Sequence, residues 1–432
     1  MKDPMSPRLA LMLALFAPLA WAGDDWGDDE WGDNWEEARI SPWQRPSGFI
    51  ELGAGYRLQS DGAGLPRQTL GEARGRFETG YRSDKIRGDL RADLRYDDVV
   101  EGWQLDIREL TIGFAAGDHT DIKVGRQVLT WGTGDFLFLN DLFPKDWQAF
   151  FSGLDDEYLK APTNAIKVSY FGPGRANLDL AWIPRFESDN YLSGDRFSFY
   201  NPVIGGPVAP GLDVDEPSDD ALAARIFGNA EVGNARTLEW AVYGYWGYGG
   251  QPEAVDSQGR PDFARLNSLG ASMVLPLGAG LFNLEGAWYD YKDQDGDNPR
   301  QPADKLMLLA GYQQELITNL TLGVQYQLEH LRDYGQWRDV QPYPETLADQ
   351  NRHLTTMRLD YRAMQEALVL SLFAFYSPSD EDFYLRPQAS YRLDDNWSFA
   401  AGFNLLGGQE DHTFFGQLAD NSNGWLRVRY SY

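Results

Sequence analysis

The strongest constraint on this chain is a two-residue alternation that recurs from residue 48 to its last residue. Between Lys85 and Asp97, Ile86, Leu90, Ala92, Leu94 and Tyr96 share one parity, and Arg87, Asp89, Arg91, Asp93 and Arg95 share the other. Successive side chains of a strand point to opposite faces, so this segment has one apolar face and one densely charged face. Similar segments lie near 48–58, 68–82, 102–115, 120–130, 164–172, 176–184, 220–231, 236–247 and 263–276. They continue near 280–292, 304–316, 319–333, 351–365, 367–377, 383–393, 396–405 and 423–432. That makes about 18 strands, each long enough to cross a hydrocarbon layer at a tilt.

One strand of this kind fits a soluble sandwich as well as a membrane barrel, and the connections separate the two. Short turns at 82–84, 116–119, 172–175, 277–280, 317–319 and 394–396 alternate with long loops near 131–163, 185–219, 248–262, 293–303, 334–350 and 406–422. A transmembrane barrel sorts its loops in this way, with short turns in the periplasm and long loops outside, whereas a sandwich does not. The predicted fold is therefore all-β: one transmembrane antiparallel barrel of about 18 strands over 48–432. A count of 16 follows if a pair near 164–184 or 383–405 is misread.

Composition narrows the function. There are 65 acidic and 38 basic residues, a net charge of −27, which argues against phosphate-backbone binding and so against nucleic acid as a partner. There is no cysteine, which excludes disulfides, thiolate metal sites and cysteine nucleophiles. Aromatic residues make up 14 % of the chain, as the girdles of a membrane barrel require. Residues 1–22 read as a secretory signal, with Lys2 and Arg8, an apolar run Leu9–Leu19, and Ala20-Trp21-Ala22 at the cleavage position. The last strand alternates Leu426, Val428, Tyr430 and Tyr432 with polar residues and ends on an aromatic, which resembles the signal read by the barrel-assembly machinery. The expected location is the outer membrane of a Gram-negative cell, with lipid and lipopolysaccharide around the wall.

Between signal and barrel, residues 23–47 form an acidic tail that carries Trp26, Trp31 and Trp35. A solvated, disordered tail is the favoured reading. The sharper one is a docking segment for a periplasmic or inner-membrane transport partner, anchored by the three tryptophans.

The most distinctive stretch runs Val124-Gly125-Arg126-Gln127-Val128-Leu129-Thr130-Trp131-Gly132-Thr133-Gly134-Asp135 and continues through Asn140-Asp141-Leu142-Phe143-Pro144-Lys145 to Trp147. A loop with Phe136, Phe138, Phe143, Trp147, Phe150 and Phe151 would be poorly solvated in water, so it is expected to fold into the lumen as a constriction. Its candidate residues are Arg126, Trp131, Asp135, Asn140, Asp141 and Lys145, with Gly132 and Gly134 letting the backbone turn inward. The alternative is a cap over the barrel mouth. The Gly-Arg-Gln…Trp-Gly run and the Asn-Asp-Leu-Phe loop resemble the alginate-export porin group and related uncharacterised barrels that accompany efflux pumps. That resemblance covers some thirty residues and implies an 18-stranded barrel, an inward loop and passive passage of an anionic or amphiphilic substrate.

Arg74, Arg76, Arg87, Arg91, Arg95 and Arg108 are predicted to face the lumen with Glu78, Asp89, Asp93 and Asp106. A salt-bridged wall is favoured over an anion-selective ladder, because opposite charges alternate along and across these strands. Catalysis finds little support. His119, His330, His353 and His412 sit in no nucleophile motif or metal spacing, so neither enzyme activity nor a cofactor is expected. Asp293–Asn298 with Asp304 matches a calcium loop poorly, and no metal site is assigned. The leading function is an outer-membrane channel, porin or exporter, with the 131–163 loop setting its bore. The runner-up is a non-conducting accessory barrel that docks a transport machine through its tail, and surface adhesion ranks third.

Overall fold

The computed structural model describes residues 42–174, 176–233 and 236–432. The alternation resolves into 18 barrel strands: β1 Ser47–Arg57, β2 Gln68–Arg82, β3 Ile86–Asp97, β4 Gly102–Ala115, β5 Thr120–Val128, β6 Pro162–Phe171, β7 Ala176–Ile183, β8 Ala221–Val232 and β9 Arg236–Tyr248. They continue as β10 Arg265–Leu277, β11 Gly280–Tyr291, β12 Lys305–Ile317, β13 Leu320–Leu331, β14 Asn351–Ala363, β15 Leu368–Ser377, β16 Asp382–Arg392, β17 Trp397–Gly408 and β18 Asn423–Ser431. Each pairs antiparallel with its chain neighbours, and β1 pairs with β18 from Phe49↔Ser431 to Arg57↔Asn423. Closure leaves no sheet edge with unmet backbone groups, which a bilayer demands. The alternative of 16 strands is excluded, since both doubtful pairs are regular strands.

The two faces separate by parity. On β4, Trp103, Leu105, Leu110 and Ile112 point outward and are exposed, while Arg108 and Thr111 are buried inside. The register shifts between Arg91 and Ala92, and this bulge turns two consecutive β4 residues, Arg108 and Glu109, into the lumen. Exposed aromatics form two outward rows. Trp103, Trp182, Trp246, Trp288 and Tyr376 lie at the long-loop end, and Phe114, Tyr170, Tyr361 and Trp397 at the short-turn end. These rows match the interfacial girdles of a membrane barrel.

Loop sorting departs from strict alternation at two places. The β3–β4 connection (98–101) and the β15–β16 connection (378–381) are tight hairpins at the long-loop end. The barrel therefore has no long outer loop beside β3 and β4, next to the arginine-rich strands, nor beside β15 and β16. At the N-terminal side, Arg82 N–H donates to Pro42 O and Gln44 N–H to Gly80 O, both at 2.7 Å, so residues 42–44 lie along β2. The signal segment and Trp26, Trp31 and Trp35 fall outside the described residues.

Leu110→Arg, on the outward face of β4, is expected to cost about 2–4 kcal/mol of folding in a bilayer. Denaturant titration of lipid-folded protein measures this, and an unchanged midpoint would contradict the assignment of that face to lipid.

Candidate functional site

The 129–161 segment enters the barrel and touches the wall almost all the way round. Its first anchor is Glu285 on β11, whose carboxylate accepts Thr133 N–H at 2.6 Å, Thr133 Oγ1–H at 2.9 Å, and Asn140 N–H and Nδ2–H at 3.0 Å each. Asn140 fits only because Gly270 stands opposite it on β10: a Cβ there would lie 1.7 Å from Asn140 Oδ1. Asp135 donates its N–H to Gln325 on β13 at 2.9 Å and pairs with Arg358 on β14 at 3.1 Å. Tyr289 OH donates to Leu139 O at 2.8 Å.

The aromatic residues that made this loop conspicuous pack against the opposite wall. A short helix, α1 (Trp147–Ser152), is capped by Asp146, which accepts Ala149 N–H at 2.7 Å, and is closed by Gly153 at φ 89°. Gly153 cannot carry a side chain, because a Cβ would lie 2.2 Å from the Trp425 ring. Phe150 meets Tyr384 on β16 at 5.6 Å between centroids, and Phe136 meets Phe373 on β15 at 4.9 Å. Asn404 and Asn423 both donate to Phe151 O, at 2.9 and 3.0 Å. These anchors join one element of chain to both walls, and the loop is a cross-beam of the lumen.

A second loop, 184–220, straps the first from outside. Asp189 accepts Lys145 N–H at 2.9 Å and Trp147 Nε1–H at 2.8 Å, and Asn190 N–H donates to Lys145 O at 2.8 Å. Burial pushes the Asp189 carboxyl up to about 6, against the opposing pull of Lys145. Arg196 of the same loop pairs with Asp97 at the top of β3 and donates to Thr69 O at 2.6 Å.

Two of the cavities border the acidic tip of the cross-beam, and a third, of about 740 Å³, lies among the outer loops and is lined largely by carboxylates such as Glu253, Glu329 and Asp380. The first, of about 880 Å³, opens beside β3 and β4 and is lined by Arg74, Arg95, Arg108, Arg126, Tyr158 and Arg196, among others. The second, of about 260 Å³, lies on the other side of the beam and includes Arg392, Arg427, Arg429, Glu51 and Asp155. Leu154 and Tyr158 face the first and Asp155 the second, so the partition is the segment 154–158.

The predicted residues fall into distinct places. Arg126 lines the large cavity, pairing with Glu187 at 2.8 Å. Trp131 is buried against Phe143, with 5.0 Å between centroids. Asp141 and Lys145 pair at 3.0 Å within the beam. Asp135 and Asn140 thus bond to wall strands, whereas Asp141 and Lys145 bond to each other. Of the arginines on the first strands, Arg74 reaches Glu72 at 2.7 Å and Asp93 at 2.8 Å, and Arg76 reaches Asp93 at 2.6 Å. Arg95 reaches Asp106 at 2.6 Å, Arg91 reaches Glu78 at 3.0 Å, and Arg87 reaches Asp121 at 3.5 Å. Arg108 instead donates to two beam carbonyls, Glu157 O and Lys160 O, both at 2.9 Å. In the 293–304 loop, Asp304 accepts Tyr291 N–H at 2.8 Å, and Gln294 occupies the loop centre, bonded to carbonyls of Asn298, Gln301 and Pro302.

Asp155, Asp156, Glu157 and Tyr158 were missed by sequence reasoning, which stopped at the aromatic run. The available signal was three consecutive acids in a loop already expected to face inward arginines.

With closure, an apolar exterior and two aromatic rows established, the location follows. The chain is an outer-membrane β-barrel. Solved structures share its architecture: OccAB3 of Acinetobacter baumannii has a TM-score of 0.53 at 10 % identity over 90 % of this chain and 99 % of its own. OccAB1 of the same organism gives 0.52 at 8 % identity over 91 % and 97 %, and Pseudomonas aeruginosa OccD3 (OpdP) gives 0.51 at 11 % over 91 % and 92 %. At such identities the likeness is one of fold. No protein-family profile matches the chain, and no curated protein matches it. These neighbours support the general barrel and do not single out the alginate-export porin group.

Two outcomes test the beam. Glu285→Ala leaves two buried backbone N–H groups without an acceptor and is expected to loosen the beam by about 3 kcal/mol, read as faster proteolysis within 131–161 of the folded barrel. For Asp189, a raised carboxyl value means that the protonated form favours the docked strap. That stabilisation is complete below the ordinary carboxylate value of about 3.9 and is lost as pH rises through about 6. Proteolysis of the 184–220 strap should accordingly slow as pH falls from neutral to below 6, and Asp189→Asn should flatten that dependence.

Proposed function

We propose that this barrel is a channel for small acidic solutes, with the 129–161 beam as its constriction. The observation that carries the reading is the pair of arginine-lined cavities, about 880 and 260 Å³, on the two sides of the 154–158 partition. An 18-stranded circumference exceeds what wall side chains alone can fill, so the interior is either a passage or a plugged one. Here the beam fills it partly and leaves space at both ends. Arginine on both sides of a partition lowers the entry cost of an anion from either compartment. Most of these arginines are paired with carboxylates, so the field is local to the cavities and does not reverse the net charge of −27.

The larger cavity has the volume of a small-molecule site, and the other is smaller still. They favour a small acid over a polymer, so the narrower resemblance to alginate exporters rests on the 124–147 run alone. The partition also supports a second reading, a non-conducting accessory barrel opened or used only with a transport partner, because 154–158 separates the two cavities.

Single-channel recording in planar bilayers decides between them, comparing the intact chain with a variant lacking 134–160. Steady current that rises on deletion establishes a channel with a beam-set bore. Current from the deletion alone points to a conduit that needs a partner, and silence from both correctly folded proteins removes the channel reading.

A further inference from the structure

The partition carries three consecutive carboxylates, Asp155-Asp156-Glu157, and each meets arginine from the barrel wall. Asp155 lies 3.5 Å from Arg427 and 3.4 Å from Arg429, both on β18. Asp156 lies 2.8 Å from Arg386 on β16, and Glu157 lies 2.8 Å from Arg76 on β2. Arg427 and Arg429 also reach Glu51, and Arg76 also reaches Asp93. Asp156 is the only ion-pair partner of Arg386 among the described residues.

Burial is uneven across these pairs, and the unevenness bears on function. The side chains of Arg76, Arg386 and Arg427 are 3, 5 and 8 % exposed, whereas those of Asp155, Asp156 and Glu157 are 38, 35 and 32 % exposed. Water reaches the acids, and the acids cover the arginines. A purely structural staple gains from being dry, because solvent weakens an ion pair. Here the wet partner is the loop side of each pair, at the boundary between the two cavities. Burial pushes the Asp155 carboxyl up, but Arg427 and Arg429 outweigh it and hold the group below the usual carboxylate range. It therefore stays ionised at neutral pH, and its contribution to docking is lost only in acid below that range.

Withdrawing the acids without replacement would strand the buried Arg386 guanidinium and leave Arg76, Arg427 and Arg429 with their wall carboxylates only, which is costly. Replacing them by other carboxylates trades one charge-assisted bond for another of the same kind. We propose that Asp155-Asp156-Glu157 is a built-in stand-in for the permeant. It occupies the arginine cluster that binds a soluble di- or tricarboxylate, and such a solute passes by exchanging its carboxylates for those of the beam. A monocarboxylate displaces one acid and leaves the others holding the partition shut. The assignment rests on the channel reading and adds to it a ligand class and a mode of opening.

The test uses the full chain in planar bilayers, with citrate and acetate as probes and heat-dependent gel mobility as the check of folding. In Asp155→Asn/Asp156→Asn/Glu157→Gln, the reversal potential in a potassium chloride gradient should move toward chloride. Citrate should modulate wild-type current where equal acetate does not, and equilibrium dialysis should show citrate binding at least tenfold tighter to the variant. If the triple variant fails to fold, Asp156→Asn, which uncovers Arg386 alone, should show the same shift at smaller size. Conducting proteins with an unchanged reversal potential and no preference for citrate over acetate would overturn this proposal and leave the channel intact. A folded wild type and variant that are both silent would overturn the channel reading and this proposal with it.

Discussion

The interior depends on charge pairing between one loop and the wall around it. A barrel of this girth cannot close its own bore with strand side chains, so the segment 129–161 is drawn across and held by residues from distant strands. Glu285 receives its first turn, the asparagines at 404 and 423 receive the end of α1, and Arg76, Arg386, Arg427 and Arg429 receive its acidic tip. Without the loop Arg386 would be a buried cation with no ion-pair partner among the described residues, and Arg76, Arg427 and Arg429 would keep only their wall carboxylates. The loop is thus as much a requirement of the wall as the wall is of the loop.

This mutual dependence explains the uneven chemistry of the lumen. The strands β11, β15 and β16 meet the beam with aromatic residues and tyrosine hydroxyls, and that side packs nearly dry. The strands β2 to β4 meet it with arginines and carboxylates, and that side keeps the larger cavity. The β3–β4 connection adds no long loop over this wet half, and the rim residues Val99 and Val100 line the cavity with the arginines. The strap at 184–220 adds a further layer, with Arg196 and Asp189 fixing it to the β3 rim and to the beam.

Much of this was legible in the alternation. Parity placed Arg74, Arg76, Arg87, Arg91, Arg95 and Arg108 inside, and the aromatic run Phe136–Phe151 announced a loop that could not remain in water. Strand number and approximate bounds followed from counting. Two things misled or escaped that reading. The 98–101 and 378–381 hairpins break the loop sorting, because neighbouring strands there join directly at the outer rim. The plain acidic run after α1, which borders both arginine-lined cavities, carries no aromatic signal and was not singled out.

By itself, the sequence determined the closed, membrane-facing barrel, because a period of two with apolar and charged faces, repeated 18 times, has one way to satisfy both lipid and backbone. It also showed that the aromatic loop must pack against the barrel, inside the lumen or across its mouth, through the cost of leaving its aromatics in water. Only the tertiary structure decided between those two places and set which arginines the loop meets. Those contacts join residues as much as 274 positions apart, such as Asp155 and Arg429, and no local pattern encodes a distance across a closed sheet.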